Sequence, residues 1–103
     1  MIVNRRTYNI KPFRMDEAVA LMKSAIEATT GFLSAYRIYE AGVLGSGAPY
    51  DILVVEFEYE NFEAYEKGWN SWLAMPKEKF MSKWMEIANP GGTSEIWRLA
   101  ASR

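Results

Sequence analysis

The run Ile52-Leu53-Val54-Val55, closed by Glu56-Phe57-Glu58-Tyr59, constrains this chain more than any other stretch. Its first four positions are all apolar, so a strand made from them must bury both faces; a strand with one wet face would alternate apolar and polar. The remaining sequence holds only enough helix to cover one side of a sheet. A second copy of the same chain is the simplest cover for the other side. A homodimer joined through sheet faces is therefore expected, because large exposed apolar patches are rare on soluble monomers.

Composition narrows the chemistry further. The 103 residues suit one domain, 1–103, and an aromatic content of 15% excludes a disordered chain. With a net charge of −1 and no basic stripe, no nucleic-acid partner is expected. No apolar run approaches the roughly 18 residues that span a bilayer, so no membrane partner is expected either. The opening Met1-Ile2-Val3-Asn4-Arg5-Arg6 lacks the apolar core of a signal peptide, which points to the cytoplasm.

Two absences carry more weight. Without cysteine there is no thiol nucleophile, disulfide or thiolate metal site. Without histidine there is no imidazole acid–base chemistry, no histidine-ligated haem and no Ser-His-Asp triad. A metal site would need carboxylates alone, and no EF-hand spacing occurs. Neither a metal nor a cofactor is expected.

Hydrophobic periodicity divides the chain into six principal segments. Residues 2–10 alternate loosely as a strand, ended by Lys11-Pro12. From Met15 the positions Ala18, Leu21, Met22, Ala25 and Ile26 recur at helical spacing, with Gly31 as the expected stop. Residues 32–40 form a strand, with Leu33, Ala35, Arg37 and Tyr39 on one face and Phe32, Tyr36 and Ile38 on the other. Residues 42–49 form a hairpin loop into a strand over 50–59. Asn61 can cap a helix whose stripe is Phe62, Tyr65, Trp69, Trp72 and Leu73. Pro76 interrupts that helix before a second segment over 77–88, and Asn89-Pro90-Gly91-Gly92 turns into a last strand over 93–99. The order strand, helix, strand, strand, helix, strand predicts an α+β, ferredoxin-like βαββαβ fold: a four-stranded antiparallel sheet with its helices on one face. The open face would draw its apolar content from Leu53, Val55 and Phe57 or from the alternates Ile52 and Val54.

Arg6-Thr7-Tyr8-Asn9-Ile10-Lys11-Pro12 resembles the first strand of NIPSNAP-type domains, and Trp72-Leu73-Ala74-Met75-Pro76 with Trp84 beyond it resembles their second helical region. The resemblance spans essentially the whole chain through pattern and short strings. It implies the dimeric α+β barrel superfamily, which also holds antibiotic-biosynthesis monooxygenases, stress-responsive barrel proteins and haem-degrading enzymes. Members pair their sheets into a barrel and keep a small pocket between sheet and helices. This chain has Pro12-Phe13 where family members often have Pro-Gly. It also lacks the histidine on which the haem-degrading branch relies, whereas cofactor-free monooxygenation, in which the substrate supplies the electrons, remains open.

The candidate binding residues are Arg6, Tyr8, Tyr36, Trp69, Trp72 and Trp84. The tryptophans could line a pocket for a planar or apolar molecule, with Met75, Met81 and Met85 as adaptable walls, or they could be core alone. Gly68 inside the helix fits either a pocket or close packing against Trp69. Arg6, Glu56 and Arg98 could be neighbours, since the first strand lies between the third and fourth. Arg6 could bind a carboxylate or enolate, or it could be one half of an ion pair. The tyrosines could donate phenolic hydrogen bonds, and Asn4 could hold a water. Gly42, Gly45 and Gly47 read as a hairpin connection, because a phosphate loop would open a helix. The leading expectation is a small-molecule-binding barrel protein, with a cofactor-independent monooxygenase as its enzymatic form. The alternative is a non-enzymatic homodimeric interaction module.

Overall fold

The computed structural model describes residues 1–41 and 51–103. Strand β1 (Ile2–Asn9) leads to helix α1 (Met15–Glu27) and a short 3-10 turn, Thr30–Phe32. Strands β2 (Ala35–Glu40) and β3 (Ile52–Tyr59) follow, then helices α2 (Phe62–Ala74) and α3 (Glu78–Ile87) and strand β4 (Thr93–Arg98). The sheet is antiparallel with order β2-β3-β1-β4, the ferredoxin-like arrangement. No helix among the described residues is long and apolar enough to cross a membrane. The expected loop over 42–49 and the expected strand position Tyr50 lie outside the described residues.

Register decides which side each residue serves. Arg6 pairs with Val55 and Tyr8 with Leu53, so the even positions of β1 share the helix-covered face with the odd positions of β3. Leu53 and Val55 are fully buried there, at 0% exposure, in a core with Ala18, Met22 and Ile26 of α1. The side that Leu53, Val55 and Phe57 serve is thus the helix side, and Ile52 and Val54 belong to the open face. That face turns ionic from Glu56 onward. Arg5 approaches Glu56 at 3.9 Å and Arg37 pairs with Glu58, while Tyr39 donates to Glu56 at 3.3 Å. The two-sided apolar character of β3 therefore extends over Ile52–Val55 only.

Local chemistry explains most boundaries. Asn61 takes an extended conformation and its Oδ1 accepts from the Ala64 N–H at 2.9 Å, which caps α2. Pro76 separates α2 from α3, as a proline without an N–H must. Gly31 does not stop α1: the helix ends at Glu27 with Ala28 as its cap, and Gly31 falls within the following 3-10 turn. That turn also delays β2 to Ala35. In the β4 approach, Gly92 has φ +155°, and a Cβ there would lie 2.8 Å from the Thr7 carbonyl oxygen, so only glycine fits.

Phe13 sits in the left-handed region with φ 64° and its side chain is wholly exposed. This is the position where the family resemblance expects glycine. A non-glycine residue pays about 1–2 kcal/mol for this conformation, and no contact offsets it. Glycine is entropically dearer in the unfolded chain, by roughly 0.5–1 kcal/mol. Phe13→Gly is therefore expected to stabilise the protein by about 0.5–1 kcal/mol, read as a higher urea midpoint at unchanged slope. A lower midpoint would show that Phe13 makes a stabilising contact.

Candidate binding pocket

Between the sheet and the helices lies a half-enclosed pocket with a cavity of about 90 Å³. Its floor is the helix-covered face of β1 and β3, with Asn4, Arg6, Tyr8, Phe57 and Tyr59. Its roof is Gly68, Trp69 and Trp72 of α2 with Phe80 of α3, and one side is closed by Met22 and Ile26 of α1 with Phe32 and Leu33. The Pro76 break makes this roof: Trp72, before it, meets Phe80, after it, edge to face at 5.7 Å.

One polar chain runs along the floor. Asn4 is 2% exposed, and its Nδ2 donates to Ser94 Oγ and to the Glu95 carbonyl, both at 3.0 Å. Its Oδ1 accepts from Arg6 Nε at 3.1 Å. The Arg6 guanidinium then lies over the Trp69 ring, 4.5 Å from the centroid, a cation–π contact. Among the described residues, the contacts that orient Arg6 are thus those with Asn4 and Trp69. The ion pairs among the described residues join Arg5 to Glu56, Arg14 to Glu17, Arg37 to Glu58 and Lys67 to Glu63; none includes Arg6. Residues 42–50 contain neither aspartate nor glutamate.

Tyr59 stands beside this group. Burial pushes its phenol above the ordinary value, and the positive charge of Arg6 opposes that shift without cancelling it. The hydroxyl is thus protonated at neutral pH and can donate a hydrogen bond. The folded chain holds this proton more tightly than the unfolded chain. Its contribution to stability is therefore complete below the ordinary phenol value of 10.0 and is lost as pH rises through the raised folded value.

The six candidate residues separate into two groups. Arg6, Tyr8, Trp69 and Trp72 line the pocket together. Trp84 does not; it is 8% exposed in the core, stacked on Phe80 at 5.7 Å and edge-on to Tyr8 at 5.1 Å. Tyr36 lies outside the lining, its hydroxyl donating to Glu27 at 3.2 Å. The expected cluster of Arg6, Glu56 and Arg98 does not form. Glu56 is on the open face and approaches Arg5, because an antiparallel register that pairs Arg6 with Val55 turns Glu56 the other way. Met75, Met81 and Met85 are not wall residues; Met81 and Met85 are 41% and 69% exposed, and the methionine of the pocket is Met22. Phe57 and Phe80 also line the pocket, and the strand alternation that marks Tyr59 marks Phe57 as well.

Gly68 packs against Tyr59: a Cβ there would lie 3.0 Å from Tyr59 Cε1 and 3.5 Å from Phe32 Cβ. Alanine would gain about 1 kcal/mol of helix propensity and push the Tyr59 ring into the cavity. Gly68→Ala is expected to leave stability within about 1 kcal/mol of the parent while reducing the room for a ligand. Thermal melts and ligand titration would show the two effects; unchanged binding would mean that Tyr59 does not move inward.

No family model and no curated protein sequence matches the chain. Solved structures do resemble it. An uncharacterised NIPSNAP domain protein from Burkholderia xenovorans superposes with a TM-score of 0.78 at 16% identity, covering 98% of this chain and 96% of that one. A protein from Agrobacterium tumefaciens gives 0.78 at 16% identity, with 97% and 94% covered. An antibiotic biosynthesis monooxygenase gives 0.70 at 15% identity, with 98% and 100% covered. The structural neighbours are thus NIPSNAP domain proteins and monooxygenase-like ferredoxin-fold proteins, in line with the resemblance in the sequence. At these identities the likeness establishes the fold.

Proposed function

We propose that this protein binds a small molecule in the pocket between sheet and helices, and that it does so as a homodimer joined through the open sheet faces. The observation that carries the binding reading is Arg6. A half-buried guanidinium without an acidic partner borders an aromatic cavity, which is how a ligand site differs from a filled core. Support for the dimer is separate: Ile52 and Val54 lie on a face that no helix among the described residues covers, and Trp97 of β4 is 53% exposed. The interaction-module alternative has less support, because it predicts a core with no such cavity.

The monooxygenase among the structural neighbours supports a catalytic form of this reading. A bound enolate would be its own reductant. One atom of dioxygen would replace two substrate hydrogens as a carbonyl oxygen, and the other would leave as water. Arg6 would hold the enolate charge, and no cofactor would take part.

Native mass spectrometry of freshly purified protein tests the assembly and the pocket together. A dimer carrying a small organic adduct is the expected result. A monomer would overturn the sheet-face argument. A bare dimer whose tryptophan signals respond to no added small molecule would overturn the pocket.

A further inference from the structure

We propose that the ligand of this pocket is a small planar organic monoanion, a carboxylate or enolate on a single ring or short conjugated chain, held by the outer nitrogens of Arg6. The inference rests on the binding reading above and adds the ligand's charge, shape and size.

Charge comes first. Removing a guanidinium from water is costly unless an anion or hydrogen-bond acceptors replace the solvent. Arg6 has one acceptor, Asn4 Oδ1 on Nε, and one ring face, Trp69; among the described residues nothing bonds Nη1 or Nη2. A carboxylate or enolate supplies the missing acceptors, and a planar fork matches a carboxylate with two parallel bonds. With a single guanidinium and no other cation in the lining, the site suits one negative charge carried on an apolar body.

Orientation is set before any ligand arrives. Asn4 is held to β4 by two hydrogen bonds, and it in turn fixes Arg6 Nε. The ordering cost is thereby met by the fold, which favours tight recognition by few contacts. Shape follows from the walls, since Trp69, Trp72, Phe57 and Phe80 present rings and planar ligands gain most from rings. Size follows from the cavity. Its volume of about 90 Å³ is below the roughly 150 Å³ of a cavity that takes up benzene, so the ligand is no larger than a single ring or short chain there, and part of it must lie in the open mouth.

The test uses the full chain with nitrogen-15 labelling and follows the indole N–H signals, with Trp69 assigned through Trp69→Phe. The probes are benzoate and sorbate against their neutral amides, benzamide and sorbamide, at pH 7. The anions are expected to shift the Trp69 signal with an affinity about tenfold or more above that of the amides, the gain of hydrogen bonds to a charged group. Arg6→Gln should remove this preference while the amides bind as before. Arg6→Lys, which keeps the charge and loses the fork, should retain part of it. The three remaining indole signals report whether each variant is folded. Amides binding as well as the acids would overturn the anion proposal and leave the pocket standing. No response of Trp69 to any of the four would overturn both.

Discussion

Trp84→Ala is expected to cost about 3–5 kcal/mol of stability, the range for deleting a large buried aromatic side chain. Trp84 is 8% exposed, packs within the core of Leu53, Val55 and Ile87, and contacts Tyr8 and Phe80 through its ring. Domains of this size are stable by only about 5–15 kcal/mol, so the variant would lose a large part of the total. Trp72, half-buried and bordering the pocket, should cost much less on the same change, because its ring already faces open space. Urea unfolding followed by circular dichroism would compare the two. A Trp72→Ala cost equal to or above that of Trp84→Ala would mean that the pocket wall is core and that the cavity closes in solution.

The second large effect concerns Asn4. Asn4→Ala removes the donor to Ser94 and to Glu95 and the acceptor for Arg6 in one step. A buried polar group left unpaired costs about 1–3 kcal/mol, and part of this is relieved here because Ser94 and Glu95 of β4 are exposed to water and Arg6 is half-buried. A net loss of about 2 kcal/mol is expected. Asn4→Asp separates stability from binding. Its carboxylate would stand where Oδ1 now accepts from Arg6 and would neutralise the guanidinium internally. Anion binding should then fall further in Asn4→Asp than in Asn4→Ala. Calorimetric titration with benzoate beside urea unfolding would show both effects. Undiminished anion binding in Asn4→Asp would remove Arg6 from the site.

Part of the pocket is legible in the sequence. Arg6 and Tyr8 are two apart on one strand, and Trp69 and Trp72 are three apart on one helix, so each pair shares a face whatever the tertiary arrangement. Tyr36 and Trp84 satisfy the same rules and lie elsewhere. Trp84 follows the Pro76 break, so helical periodicity cannot carry a face from Trp72 across to it. Tyr36 is on the helix-covered face, yet β2 is an edge strand and its hydroxyl reaches Glu27 of α1 instead. Glu56 is the clearest case. Its position in the sequence allows it to meet either Arg5 or Arg6, and a single residue of register chooses Arg5.

By itself the sequence determined the order of elements, the helix cap at Asn61 and the break at Pro76. These are matters of local period, backbone restriction and turn chemistry, which a chain carries in neighbouring residues. Only the tertiary structure decided that Arg6 would be left without an acid, that Asn4 would hold it and that Trp69 would lie across it. Those relations rest in turn on the bond from Asn4 to the Glu95 carbonyl, 91 positions away, and they depend on strand register and on where α2 crosses the sheet. Neither is written in the periodicity of any one segment.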